Sequence, residues 1–126
     1  MIKQIIKIQD YWKVIVYYNI DYNFFDYIKN TLRQVDCEND TIKRIYDNMY
    51  HNKAKGVTIS NINLHISVVL FNNHLLKYDY INSIIHECEH IKQSMLRAYN
   101  IDDVGEPPAY LVAYLSIKLL QPILNK

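Results

Sequence analysis

The sequence predicts a single α+β domain over residues 1–126: a small, mainly antiparallel sheet packed on about four helices. Two observations carry this reading. Alternating side chains at 11–18 and again after Gly56 have the period of strands, while apolar residues spaced three and four apart between and beyond them have the period of helices. No Pro/Gly-rich linker, internal repeat or low-complexity run divides the chain, and half of its residues are apolar or tyrosine, enough for one core.

Trp12, Val14, Val16 and Tyr18 alternate with Tyr11, Lys13, Ile15 and Tyr17, and their β-branched and aromatic content marks a strand, with residues 2–8 as its partner. Asp21 is placed to cap a helix over 22–35, whose Phe24, Phe25, Ile28, Leu32 and Val35 share a face. Asp40 is placed to cap the next, with Ile42, Ile45 and Met49 inward, ending before Gly56. Ile62, Leu64, Ile66, Val68 and Leu70 then alternate with Asn61, Asn63, His65, Ser67 and Val69 as one half-buried strand whose polar face carries His65. Residues 72–74 read as a loop. A long helix over 79–99 turns its Ile81, Ile84, Ile85, Cys88, Ile91 and Met95 towards the core. After a turn at 99–105, Glu106 opens the last helix, which runs to about 120; the Pro107-Pro108 pair suits a first turn that needs no amide hydrogens.

Charge and cysteine usage narrow the function. With Lys+Arg at 14 and Asp+Glu at 13, the net charge of +1 supplies no field for nucleic acid or an anionic membrane. Residues 1–7 lack the pattern of a secretion signal, and the apolar run at 110–120 is about half a membrane span. Cys37 and Cys88 are too few for a disulfide framework, and Cys88 reads as a small core residue. These features predict a cytoplasmic protein with no nucleic-acid or membrane partner.

The chemistry concentrates in His86-Glu87-Cys88-Glu89-His90 on the long helix. Histidines four apart project from one helical face and reach one metal ion, the H-E-x-x-H arrangement of zinc sites. A catalytic zinc takes three protein donors and keeps a position for water. Glu106 is the leading third donor, with Asp102 and Asp103 as the alternatives; the competing role for Glu106 is an ordinary helix-start acid. A glutamate beside the histidines takes a proton from the attacking water and returns it to the leaving amine. The pentapeptide also satisfies the reversed signature H-x-x-E-H. At about 100° per residue Glu87 and Glu89 flank the bisector of the two histidines almost equally, so helix geometry does not choose between them. Tyr110, one turn after Glu106, is a candidate for the oxyanion of the tetrahedral intermediate, against a packing role with its hydroxyl at the core's edge.

His86-Glu87-x-x-His90 followed by a glutamate on the next helix resembles the gluzincin zinc metallopeptidases. Glu106-x-x-Ala109-x-x-Val112-Ala113 is similar to the E-x-x-A-x-x-F-A pattern of the short phage- and mobile-element-associated ImmA/IrrE-like peptidases. The resemblance covers about residues 57–120 and implies a minimal zincin-like domain with Zn2+ on His86, His90 and Glu106, Glu87 as the base, and a protein or peptide substrate. Gln93 and Leu96 stand where a metzincin has its glycine and third histidine. Relative to the shorter pattern, prolines fill 107 and 108, Tyr110 and Val112 replace an asparagine and an aromatic, and the gap from His90 to Glu106 is short. Two other readings stand beside it: a catalytically silent zincin-like binding or structural module, and an interaction protein that docks a partner on its 110–120 helix.

Overall fold

The computed structural model describes residues 1–124. In chain order it contains strands β1 (Ile2–Ile8) and β2 (Trp12–Tyr18), a 3-10 turn at Tyr22–Phe24, helices α1 (Phe25–Gln34) and α2 (Asn39–Tyr50), strands β3 (Gly56–Asn61) and β4 (Ile66–Phe71), and helices α3 (Lys77–Ala98) and α4 (Glu106–Leu124). This is an α+β chain with a four-stranded sheet ordered β1-β2-β4-β3. The two outer pairings, β1–β2 and β3–β4, are antiparallel, but the central β2–β4 pairing is parallel. The sheet is therefore mixed, because the chain leaves β2 through α1, α2 and β3 before β4 returns beside it in the same direction.

Both faces of the sheet are covered. Ile15, Tyr17, Val68 and Leu70 pack with Phe25, Ile28, Leu32, Ile42, Ile45 and Met49 of α1 and α2. On the other face Trp12, Val14, Val16, Tyr18, Val69 and Phe71 pack with Tyr80, Ile84, Cys88, Ile91 and Met95 of α3 and Leu115 and Leu119 of α4. This double burial explains why both alternating sets of β2 are apolar or aromatic.

Asp21 accepts from the Asn23 amide and caps the 3-10 turn, while α1 itself starts later, at Phe25, behind Phe24, which makes no side-chain cap bond. The second helix starts two residues earlier than expected, with Glu38 at the cap, so Asp40 lies in the first turn. The strand read across 61–70 is a hairpin. Residues 62–65 turn, Asn61 Oδ1 accepts from the Leu64 amide, and His65 takes the left-handed conformation at φ 57°. The apolar Ile62 and Leu64 continued the alternation through a segment that is a turn. α4 also runs past its predicted end, with Pro122 inside it. Proline at 122 cannot bond the carbonyl four residues back. That carbonyl, Lys118 O, accepts instead from Gln4 Nε2, and the Tyr18 hydroxyl donates to the neighbouring Leu119 O at 2.7 Å.

Among the described residues no helix is long and apolar enough to cross a membrane.

Tyr18 thus ties β2 to α4 from a fully buried position. Removing its hydroxyl in Tyr18→Phe takes the donor away from Leu119 O and Gln4 Oε1 and should lower the denaturation free energy by about 0.5–1.5 kcal/mol. Burial holds this phenol protonated well above the ordinary tyrosine range. Its contribution is complete below about pH 10, where the unfolded phenol is also neutral, and is lost as pH rises towards the folded value. Urea melts between pH 8 and 11 should therefore show the wild type losing stability faster than Tyr18→Phe at the alkaline end.

Candidate functional site at the seam of α3 and β3

Ile84, Cys88, Ile91 and Met95 recur at helical spacing and are buried, which fixes the rotation of α3 about its axis. The stripe His86, His90, Gln93 and Arg97 consequently lies along the seam with β3, one of the two outer strands of the sheet. Together with Glu87, Ser94, Val57, Thr58 and Ser60 these residues line a groove of about 380 Å³.

His86 and His90 approach one another with Nε2 atoms 3.1 Å apart and rings at 81°. Both are exposed to the groove. Two imidazoles on one tetrahedral zinc, at Zn–N of 2.0–2.1 Å, hold their nitrogens about 3.3 Å apart, so the pair fits two donor positions of such an ion. The same spacing suits an N–H···N hydrogen bond between opposite tautomers.

Glu87 is 3% exposed and faces the β3 side of α3. Thr58 Oγ1 donates to its Oε1 at 2.9 Å. A side chain at Gly56 would place a Cβ 3.2 Å from the Phe71 ring and 3.4 Å from Glu87 Oε2, so the glycine lets β3 pass close over this carboxylate. Glu89, its equivalent by helix geometry alone, lies on the other flank. There it pairs with Lys92, which also holds Asp103 at 2.8 Å. The Asp103 and Glu89 bonds raise the lysine's pKa, and the three groups form a cluster apart from the groove.

The structure does not bring Glu106 to the histidines. Among the described residues no group of three or more His, Cys, Asp or Glu side chains converges as a metal site. The cause is the register of α4 on α3. Ser116 lies beside the Cys88 thiol, and Glu106 is ten residues before Ser116, roughly 15 Å along α4 towards the far end of α3. Glu106 is instead an exposed first-turn acid whose Oε2 accepts from the Tyr110 hydroxyl at 3.1 Å. Tyr110 is 68% exposed and belongs to that pair rather than to the groove. Of the alternative donors, Asp103 is engaged by Lys92, and Asp102 lies in the exposed 99–105 turn.

His65 is also elsewhere. Its ring stacks on Trp12 at 5.4 Å, and its Nδ1 meets the Tyr99 hydroxyl, which itself donates to Tyr11 O at 2.7 Å. Cys88 is fully buried, with its thiol pushed up to about 11 by desolvation, and packs as a core residue.

Thr58, Gly56, Gln93 and Arg97 are site residues that the sequence reading did not single out. The last two stand at i+7 and i+11 from His86, a spacing that was available to find them. Thr58 and Gly56 had no such signal, because β3 itself was not recognised.

No protein-family model, curated protein or solved structure matches the chain.

The Thr58 bond is the sole side-chain hydrogen bond to the buried Glu87 among the described residues. Thr58→Val, which keeps the shape and removes the donor, should destabilise the protein by about 1–3 kcal/mol at neutral pH. Differential scanning calorimetry should show that loss shrinking when Glu87→Gln is also present.

Proposed function

We propose that the α3–β3 groove is the site of a small zinc-dependent peptidase, resembling a minimal zincin-like domain, that cleaves a protein or peptide in the cytoplasm. The observation that carries this reading is the convergence in one groove of two imidazoles 3.1 Å apart and an anchored carboxylate, Glu87, beside an outer strand. His86 and His90 would hold the ion. When bound, zinc polarises a carbonyl and lowers the pKa of water. Thr58 restrains Glu87 through Oε1, leaving the carboxylate oriented to accept a proton from the attacking water and to pass it to the departing amine. An extended substrate backbone would pair with the open edge of β3, presenting its carbonyl to the histidines. Completing the ligand set with Glu106 requires the exposed 99–105 turn and the first turn of α4 to move towards His90.

The position of Glu106 favours a second reading, in which the groove binds peptide without cutting it. Two protein donors chelate an ion more weakly than three, and a scaffold that has lost its third donor keeps the groove and loses turnover.

Turnover of a mixed peptide library, followed by mass spectrometry on the zinc-supplemented protein, separates the two. Peptidase activity predicts new termini at defined positions, a loss of at least about 100-fold in Glu87→Gln with metal retained, and near wild-type rates in Glu89→Gln. Peptide retained intact by wild type and Glu87→Gln alike establishes the binding module instead.

A further inference from the structure

The groove continues past the histidines to Arg97. His86, His90, Gln93 and Arg97 occupy one stripe of α3, and all four line the same concavity. Arg97 is exposed, and among the described residues no carboxylate forms a salt bridge with it. The acids of the adjoining flank, Glu89 and Asp103, are committed to Lys92. The groove's one acidic lining residue, Glu87, is buried beside Thr58 at the histidine end. A guanidinium is thus left without a counter-ion at one end of a polar groove whose wall is an unpaired strand edge.

We propose that Arg97 is a specificity-determining residue, and that the groove takes an extended peptide carrying a carboxylate about three residues from the position held at the histidines. Seven helical residues separate His90 from Arg97, about 10 Å along the axis. Three residues of extended chain span the same length at about 3.3 Å each. The planar guanidinium offers paired donors to a carboxylate, a geometry that lysine does not reproduce. The carboxylate is either the C-terminus of the peptide or an Asp or Glu side chain; both present the same two oxygens. This inference rests on the peptide reading of the groove, but not on catalysis. Arg97 also lies in the last turn of α3, where a cation complements the helix dipole, and that role predicts no ligand preference.

Fluorescence anisotropy on the full-length zinc-supplemented protein decides it, using four N-terminally labelled peptides of one Ala/Ser sequence. One ends in a free carboxylate, one in an amide, and two further amides carry Glu or Gln at the third position from the centre. The proposal predicts that the free carboxylate or the Glu peptide binds about tenfold or more tightly than its neutral twin. It further predicts that Arg97→Gln abolishes this preference without weakening the neutral peptides, that Arg97→Lys restores part of it, and that added salt reduces it. Which acidic peptide gains identifies the source of the carboxylate. Equal affinity for all four, or a preference that survives Arg97→Gln, overturns the role of Arg97 while leaving the peptide groove in place. Failure of every peptide to bind overturns the groove reading and this inference with it.

Discussion

The rotation of α3 about its own axis governs the rest of the site. Ile84, Cys88, Ile91 and Met95 are held in a core closed by Val69 and Phe71 of the sheet and by Leu115 and Leu119 of α4. Turning the helix by one residue, about 100°, would drive a charged or imidazole side chain into that core, so the packing tolerates one phase only. That phase puts the histidine stripe at the seam and sends the two glutamates in opposite directions. A helical wheel makes Glu87 and Glu89 equivalent, but the protein does not. One meets Thr58 on β3, the other Lys92 and the turn before α4. Tertiary packing supplies the asymmetry that the pentapeptide lacks.

The edge strand is the second half of the arrangement. Among the described residues β3 pairs only with β4, and its Thr58 and Ser60 face α3 while Val57 and Ile59 pack with the layer of α1 and α2. Gly56 permits the close passage over Phe71 and Glu87, and Ser60 bonds Ser67, which in turn accepts from Trp12 Nε1. A polar seam running from β2 through β4 to β3 therefore backs the groove wall. This seam gives the buried carboxylate a partner and keeps the polar atoms of that strand face satisfied, so that the outer edge remains available.

The parts of this fold visible in the sequence are those with a local cause. The histidine pair, the capping of the 3-10 turn by Asp21 and the tandem prolines opening α4 depend on neighbours a few residues away. The 61–70 segment keeps a period of two through a turn because of Ile62 and Leu64, while β3 is a short, half-buried Gly-Val-Thr-Ile-Ser-Asn run in which three strand-favouring residues are flanked by Gly, Ser and Asn. Asn61 and Asn63 were the turn signals present there. The parallel pairing of β2 with β4 and the distance of Glu106 from His90 are set by contacts distant in sequence. Ser116 beside Cys88, and Leu119 O on the Tyr18 hydroxyl, fix where α4 sits, and no spacing within 90–106 encodes that register.

The account turns on whether two imidazoles a helical turn apart act together on one ion. X-ray absorption at the zinc edge, on protein prepared without an affinity tag and equilibrated with one equivalent of zinc, measures this directly. The account predicts first-shell scatterers at about 2.0–2.1 Å, with the outer-shell pattern of two imidazoles and the remaining positions filled by oxygen. A spectrum without imidazole scattering, or one unchanged when His86 and His90 are both replaced by alanine, would contradict it.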